Sequence, residues 1–189
     1  LTGTLQRTRL AWYVVPDDPR VSREIVVRDP ARSNLTPAPK PDDKVVVKLD
    51  AWERRNLNPT GTITEVLGVT HTPMAEYLAI LRRYNLNPEF PAAVAAEANA
   101  FGKVVQAADR KGREDFRAVP TITIDPDDAK DFDDALSVER LPEGRLRIGI
   151  HIADVSHYVK TGSPLDTEAR ERGNSTYLVG TVIPMLPHA

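Results

Sequence analysis

The sequence predicts an α+β fold in three stretches, and three observations predict it. Short runs rich in β-branched and aromatic residues, divided by Pro, Asp, Asn and Gly turn signals, fill residues 1–69. Two helical patterns follow between residues 70 and 112. From residue 113 onward strand and helix signals alternate, as in a mixed α/β piece. The chain has 189 residues, 41% hydrophobic and 28% charged, which is enough for one large domain or two small ones with a real core.

In the first stretch the strand-like runs cover residues 2–5, 11–15, 24–27, 44–49 and 62–67. Pro16-Asp17-Asp18-Pro19, residues 37–43 and Asn58-Pro59-Thr60-Gly61 supply the turns. Five strands in so short a span predict a small five-stranded barrel of the OB type, with a five-stranded open sheet as the alternative. Thr72-Pro73 opens a helix, with Thr as N-cap and Pro in the first helical position. Met74, Tyr77, Leu78 and Leu81 give it one apolar face, and Asn87-Pro88 ends it. A second, alanine-rich helix starts at Pro91 and is expected to run to about Asp109, with Val94, Ala98, Phe101 and Val105 on one side and Gly112 as its stop. Beyond it, residues 121–124, 135–141 and 145–153 read as strands, the last two joined by Pro142-Glu143-Gly144. Ser163-Pro164-Leu165-Asp166 is a capping box opening a helix that Gly173 closes, and residues 177–183 return to extended backbone.

Bulk charge excludes a general polyanion binder. The net charge is −2, so nucleic-acid contact must come from local patches or a bound metal. There is no cysteine, which excludes disulfides, thiolate metal sites and cysteine nucleophiles, and fits an intracellular, cytoplasmic protein. No apolar run approaches the roughly 18 residues of a membrane span, so no membrane association is expected. The chain starts at Leu1 and stops at Pro187-His188-Ala189, and both ends read as cuts in a longer protein.

Chemistry is concentrated in ITIDPDDAKDFDDAL, where Asp125, Asp127, Asp128, Asp131, Asp133 and Asp134 crowd into ten residues. Such carboxylates repel one another unless a cation offsets them, and hard divalent cations such as Mg²⁺ prefer carboxylate oxygens. The cluster lies between strand-like runs, in a loop at the mouth of a sheet. In extended backbone Asp131 and Asp133 point to one side and Phe132 to the other, where it would anchor the loop in the core. A solvated acidic loop is the competing reading. A calcium-binding EF-hand loop is excluded: counting from Asp125, position six is Lys130 instead of Gly and position twelve is Leu136 instead of Glu.

The stretches TIDPDDAKDFDDAL, IGIHIADVSHYV, PLDTEARERGNSTYL and VIPMLP, in that order, resemble the catalytic domain of the ribonuclease II / ribonuclease R family of processive 3′-to-5′ exoribonucleases. The resemblance implies that Asp125, Asp131, Asp133 and Asp134 hold Mg²⁺ at the scissile phosphate, with Asp133 and Asp134 as catalytic residues. Asp127 and Asp128 fall at variable positions of the pattern. Tyr177 matches the family's tyrosine that stacks on a base near the 3′ end of bound RNA, a device worth about 1–3 kcal/mol per base. Asp154 and Ser156 belong to the shared pattern, where they either support the metal loop or form an ordinary turn. His151 and His157 are not family ligands and read as structural.

LTGTLQRTRLAWYVVPDDPR and GTITEVLG resemble the family's second cold-shock-like OB domain, which contacts RNA. Tyr13 lies at its aromatic position, whereas Trp12 stands where the family often has glycine. Arg7, Arg9, Arg20, Arg23, Lys44 and Lys48 are candidates for an RNA-facing side, against the alternative of an ordinary charged surface. The division implied is an RNA-binding OB domain over 1–69, a helical connector over 70–112 and the start of the RNB catalytic domain over 113–189. The expected protein is therefore an RNB-type exoribonuclease that hydrolyses single-stranded RNA to nucleoside 5′-monophosphates with Mg²⁺. No protein partner can be inferred. The family's later arginine at the scissile phosphate and the second wall of its RNA channel are not in these residues. An RNA-binding module or a non-catalytic homologue stays open as an alternative.

Overall fold

The computed structural model describes every residue except 54, 55, 128, 130, 131 and 189. The chain divides into two compact units, residues 1–88 and 89–189.

In the first unit five strands close into a barrel: β1 (Thr2–Arg7), β2 (Trp12–Pro16), β3 (Ile25–Val27), β4 (Asp43–Leu49) and β5 (Thr60–Val69), in the order β1-β2-β3-β5-β4. β3 and β5 run parallel, with Val26 opposite Thr60, and β1 closes against β4, with Thr2 opposite Val46. The barrel was expected from five short strand-like runs in so short a span. Leu5, Val14, Ile25, Val45, Val47 and Ile63 turn inward and make its core, each such burial contributing about 1.5–3 kcal/mol. Gly3 permits the close pairing of β1 with β2: a Cβ there would lie 2.3 Å from the Val15 carbonyl oxygen. Trp12, at the family's glycine position, packs partly into this core, and the Arg7 guanidinium lies 5.0 Å from its ring centroid.

α1 (Pro73–Tyr84) packs on β4 and β5. Thr72 is its N-cap as expected, but its hydroxyl donates to the Val69 carbonyl (2.7 Å), and the Glu76 carboxylate accepts from His71 N (2.9 Å). The buried face differs from the expected one: Ala75, Ala79 and Leu81 are buried and Met74 is exposed. The helix lies so close to β5 that a Cβ on Gly68 would stand 3.4 Å from the Ala75 Cβ, which favours alanine over methionine at the contact. Lys44 is buried here, with its ammonium 2.8 Å from Asp17 and 3.3 Å from Glu76. It ties strand to helix and does not face RNA.

In the second unit α2 (Ala92–Ala100) packs on α4 (Pro164–Arg172), with Val94, Ala98 and Leu165 buried between them. α2 stops nine residues short of the expected end. Phe101 caps it and Gly102 takes φ +72, a conformation that ends a helix cheaply only at glycine. Residues 103–113 form successive turns. Arg172 anchors α4: its guanidinium reaches Glu168 (2.8 Å), the Pro184 carbonyl (3.2 Å) and the Glu89 carbonyl (2.7 Å), and lies 3.8 Å from the Phe90 ring centroid.

A three-stranded antiparallel sheet, β6-β7-β8, carries the rest: β6 (Thr121–Ile122), β7 (Asp134–Arg140) and β8 (Leu146–Ile152). The turn between β7 and β8 needs φ +65 at Glu143 and +75 at Gly144. The short α3 (Val155–Tyr158) follows β8. Residues 176–183 form a hairpin, β9 (Thr176–Leu178) with β10 (Thr181–Ile183), turning at Val179-Gly180. One face of the three-stranded sheet is apolar and unpartnered among the described residues: Leu146, Ile148, Ile150 and Ile152 alternate along β8 and are 55–74% exposed.

Candidate metal and nucleic-acid site

The aspartate loop joins β6 to β7 and is placed by that ladder. Ile122 pairs with Leu136 in the last rung before the loop. Asp133 is held by its backbone, whose carbonyl accepts from Ala153 N (2.8 Å) at the end of β8. Asp134 opens β7 opposite Ile152, at the edge of the apolar face. Asp133 and Asp134 are exposed, while Asp125 is half-buried. Asp131, the fourth expected ligand, lies outside the described residues, as does Asp128. Phe132 is exposed and does not anchor the loop in a core.

Among the described residues no three carboxylate or imidazole groups converge on one point. One atom of the loop stands apart. Asp125 Oδ2 is buried with no hydrogen-bond partner among the described residues. A buried carboxylate oxygen left without a donor costs free energy, and a hard cation would relieve it. All the candidate donors are carboxylate oxygens, so the residues fit a hard divalent ion.

The IADVSHYV segment braces this loop indirectly. Asp154 accepts from Ser156 Oγ (2.9 Å) and from the Arg113 guanidinium (2.5 Å). The Arg113 contact, first, and the Ser156 hydroxyl hold the Asp154 carboxyl below its ordinary range. Among the described residues neither Asp154 nor Ser156 hydrogen-bonds an aspartate of the loop; their neighbour Ala153 does, through its backbone. His157 lies 2.9 Å from Asp109, which is thereby held below the usual carboxylate range. His151 lies 2.8 Å from Ser137 Oγ and edge-on to Phe116 (4.9 Å between centroids). Both histidines are thus engaged with side chains outside the aspartate loop. Arg113 and Asp109 were missed from sequence because their partners are 41 and 48 residues away.

A cavity of about 1090 Å³ opens just before β6, lined by Arg110, Lys111, Arg113, Glu114, Phe116 and Arg117. Arg117 is paired with Asp115 and Arg113 with Asp154, while Arg110 and Lys111 have no carboxylate partner among the described residues. Tyr177 stands on β9 opposite Val182, 66% exposed. In the first unit Tyr13 sits on β2 between Gln6 and Val26, half-buried and alternating with the inward Val14. Of the other candidate cations there, Arg20 is held by Asp18 (2.7 Å) and Arg23 reaches Asn58 (3.4 Å), whereas Arg9 and Lys48 are exposed. No helix among the described residues is long and apolar enough to cross a membrane.

Comparison with known proteins adds a second line of argument. Residues 113–189 match the RNB domain and residues 13–91 a cold shock domain. The chain is 46% identical over 189 residues to ribonuclease R of Thermotoga maritima, covering 99% of this chain and 26% of the relative. It is 40% identical over 180 residues to ribonuclease R of Escherichia coli K12, covering 93% and 21%. The chain thus spans about a quarter of the length of the curated relatives it matches. Among solved structures, Mycoplasma genitalium RNase R in complex with double-stranded RNA superposes with a TM-score of 0.78 at 28% identity, covering 98% of this chain and 32% of that one. The yeast pseudonuclease Ssd1 shares the fold, with a TM-score of 0.69 at 22% identity over 98% of this chain and 24% of that one.

Proposed function

We propose, from the premise that this chain belongs to the ribonuclease II / ribonuclease R family, that the protein it is part of is a cytoplasmic exoribonuclease. It hydrolyses single-stranded RNA from the 3′ end to nucleoside 5′-monophosphates with Mg²⁺. The observation that carries the reading is the buried Asp125 Oδ2, without a hydrogen-bond partner among the described residues, inside the segment that matches the RNB domain.

Asp125, Asp131, Asp133 and Asp134 would hold the metal. Mg²⁺, when bound there, supplies a more acidic water and charge to offset the developing oxyanion. The chain's own residues orient and bind. The Ala153 N–H holds the Asp133 backbone, and the β7–β8 register holds Asp134 at the end of its strand. Tyr177, exposed on its hairpin, would stack a base near the 3′ end, and Tyr13 would contact the strand from the barrel. The RNA-bound structure of the M. genitalium relative supports an RNA partner. The likeness to Ssd1 marks fold alone as insufficient to assign turnover, so the aspartates bear the assignment. The expected division into 1–69, 70–112 and 113–189 is part of the proposal, and the RNB match beginning at residue 113 supports its second boundary.

The test is Asp133→Asn in the whole protein. Hydrolysis of single-stranded RNA should fall beyond the roughly 10–100-fold typical of losing a supporting partner of a metal ligand, while RNA binding survives. Unchanged turnover overturns the assignment. For this chain alone, RNA binding measured beside a nuclease assay with Mg²⁺ and with EDTA separates a binding module from an active fragment.

A further inference from the structure

We propose that the C-terminal end of α1 carries a separate contact for single-stranded RNA: a one-nucleotide site in which Tyr84 stacks a base and Arg83, with Arg20 beside it, takes the adjoining phosphate. The proposal rests on the reading above and adds to it a part of the cold-shock unit distinct from Tyr13.

A cavity of about 490 Å³ opens there, lined by Asp18, Arg20, Arg82, Arg83 and Tyr84. That volume falls within the range of small-ligand sites, about 300–1,000 Å³. Tyr84 is the last residue of α1 and is 62% exposed. Asn85 ends the helix directly after it with φ 53, and its N–H returns to the Leu81 carbonyl, so the ring sits at a defined helix end. The Arg83 guanidinium lies 5.5 Å from the Tyr84 ring centroid. A cation on one side of a ring that exposed leaves the other side for a base, which stacks without sequence preference.

The charges around the ring are arranged to receive an anion. Arg20 is fixed by Asp18 through contacts of 2.7 and 3.0 Å, and Arg82 by Glu65 through contacts of 2.7 and 2.8 Å. Arg83 has no carboxylate partner among the described residues. The guanidiniums of Arg20, Arg82 and Arg83, with the Leu1 ammonium that also lines the cavity, outweigh the carboxylates of Asp18 and Glu65, and a phosphodiester supplies negative charge. Base stacking and phosphate pairing together select a nucleotide over an acidic peptide, which offers the charge without the planar ring.

The test measures binding of this chain to a fluorescent oligoadenylate about 12 nucleotides long, within the usual reach of such barrels. Tyr84→Leu should weaken binding about tenfold. Arg83→Gln should weaken it about threefold and lower the slope of log K against log salt by about one, while Arg83→Lys keeps the slope. Both side chains are on the surface, so melting temperatures should be unchanged. Tyr13→Leu should multiply with Tyr84→Leu, as separate contacts do. If the wild type binds RNA and neither Tyr84→Leu nor Arg83→Gln alters affinity or slope, the site is refuted and the ribonuclease reading stands. If the wild type shows no salt-sensitive RNA binding, the site is refuted, and the ribonuclease reading is decided separately by Asp133→Asn in the whole protein. If adenosine monophosphate binds as tightly as the oligonucleotide, the occupant is a free nucleotide and the strand contact is refuted.

Discussion

Gly149→Ala should destabilise the second unit while leaving the barrel untouched, and the size of the effect follows from one contact. Gly149 lies on β8 opposite Ser137. A Cβ added there would stand 2.4 Å from Ser137 Oγ and 2.7 Å from His151 Nε2, both far inside contact distance. Those two atoms hydrogen-bond each other at 2.8 Å, and Ser137 is buried. Making room splits the bond. An unsatisfied buried hydroxyl costs about 1–3 kcal/mol, and the displaced packing adds about 1–3 kcal/mol. The sum, about 2–6 kcal/mol, is large against the stability of a small unit. Ser137→Ala removes the conflicting oxygen, so Ser137→Ala/Gly149→Ala should be less destabilised than the two single changes added together. Both tryptophans, Trp12 and Trp52, belong to residues 1–88, so tryptophan fluorescence follows the barrel alone, while far-UV circular dichroism follows both units. In urea the dichroism transition should split, its second-unit part moving to lower denaturant while the fluorescence midpoint stays. An unmoved dichroism transition, a shifted fluorescence midpoint or strict additivity in the double variant would each refute this reasoning.

Other consequences are simpler to read. The Arg20 guanidinium holds the Asp18 carboxyl far below its ordinary value of 3.8, so the stabilisation it confers is complete above that value and is lost as pH falls below it. Barrel stability followed by tryptophan fluorescence should therefore exceed that of Asp18→Asn at pH 6, and the gap should close toward pH 2; a constant gap contradicts the pairing. Arg172→Met removes the partner of a largely buried Glu168 along with two carbonyl contacts and the stack on Phe90. It should cost the second unit about 3–5 kcal/mol in urea denaturation, against which a loss under 1 kcal/mol would count decisively. The β8 stripe should bind a hydrophobic dye in the folded chain, and Ile148→Lys with Ile150→Lys should abolish the dye signal without lowering the melting temperature.

The barrel was legible because its information is local. Alternating apolar residues at Leu5, Val14, Ile25, Val45, Val47 and Ile63 write their inward face directly into the chain. The turns at Gly144 and Gly173 were legible for the same reason, since positive φ favours glycine there. The second helix was over-extended because Val105 continues a 3.6-residue pattern that the backbone leaves at Gly102. The face of α1 was misjudged because a close approach to β5 rewards small alanines over larger apolar residues. At the site, the crowding of aspartates was plain, but the burial of Asp125 Oδ2 was not, because the burial of an atom depends on residues remote in sequence.

By itself the sequence determined the barrel strands, α1, the start of α2, α4, the β7–β8 pair, the acidic loop and the family motifs, since propensity, turn chemistry and spacing act over a few neighbouring residues. Only the tertiary structure decided that Lys44 is an internal tie to Asp17 and Glu76, that Asp154 is spent on Arg113, that Asp125 Oδ2 is buried, and that Arg20, Arg83 and Tyr84 share one cavity. Charge and aromaticity are visible in a residue's name. Whether they are already satisfied by a partner is set by chain closure across tens of residues, and that determines which groups remain free to bind.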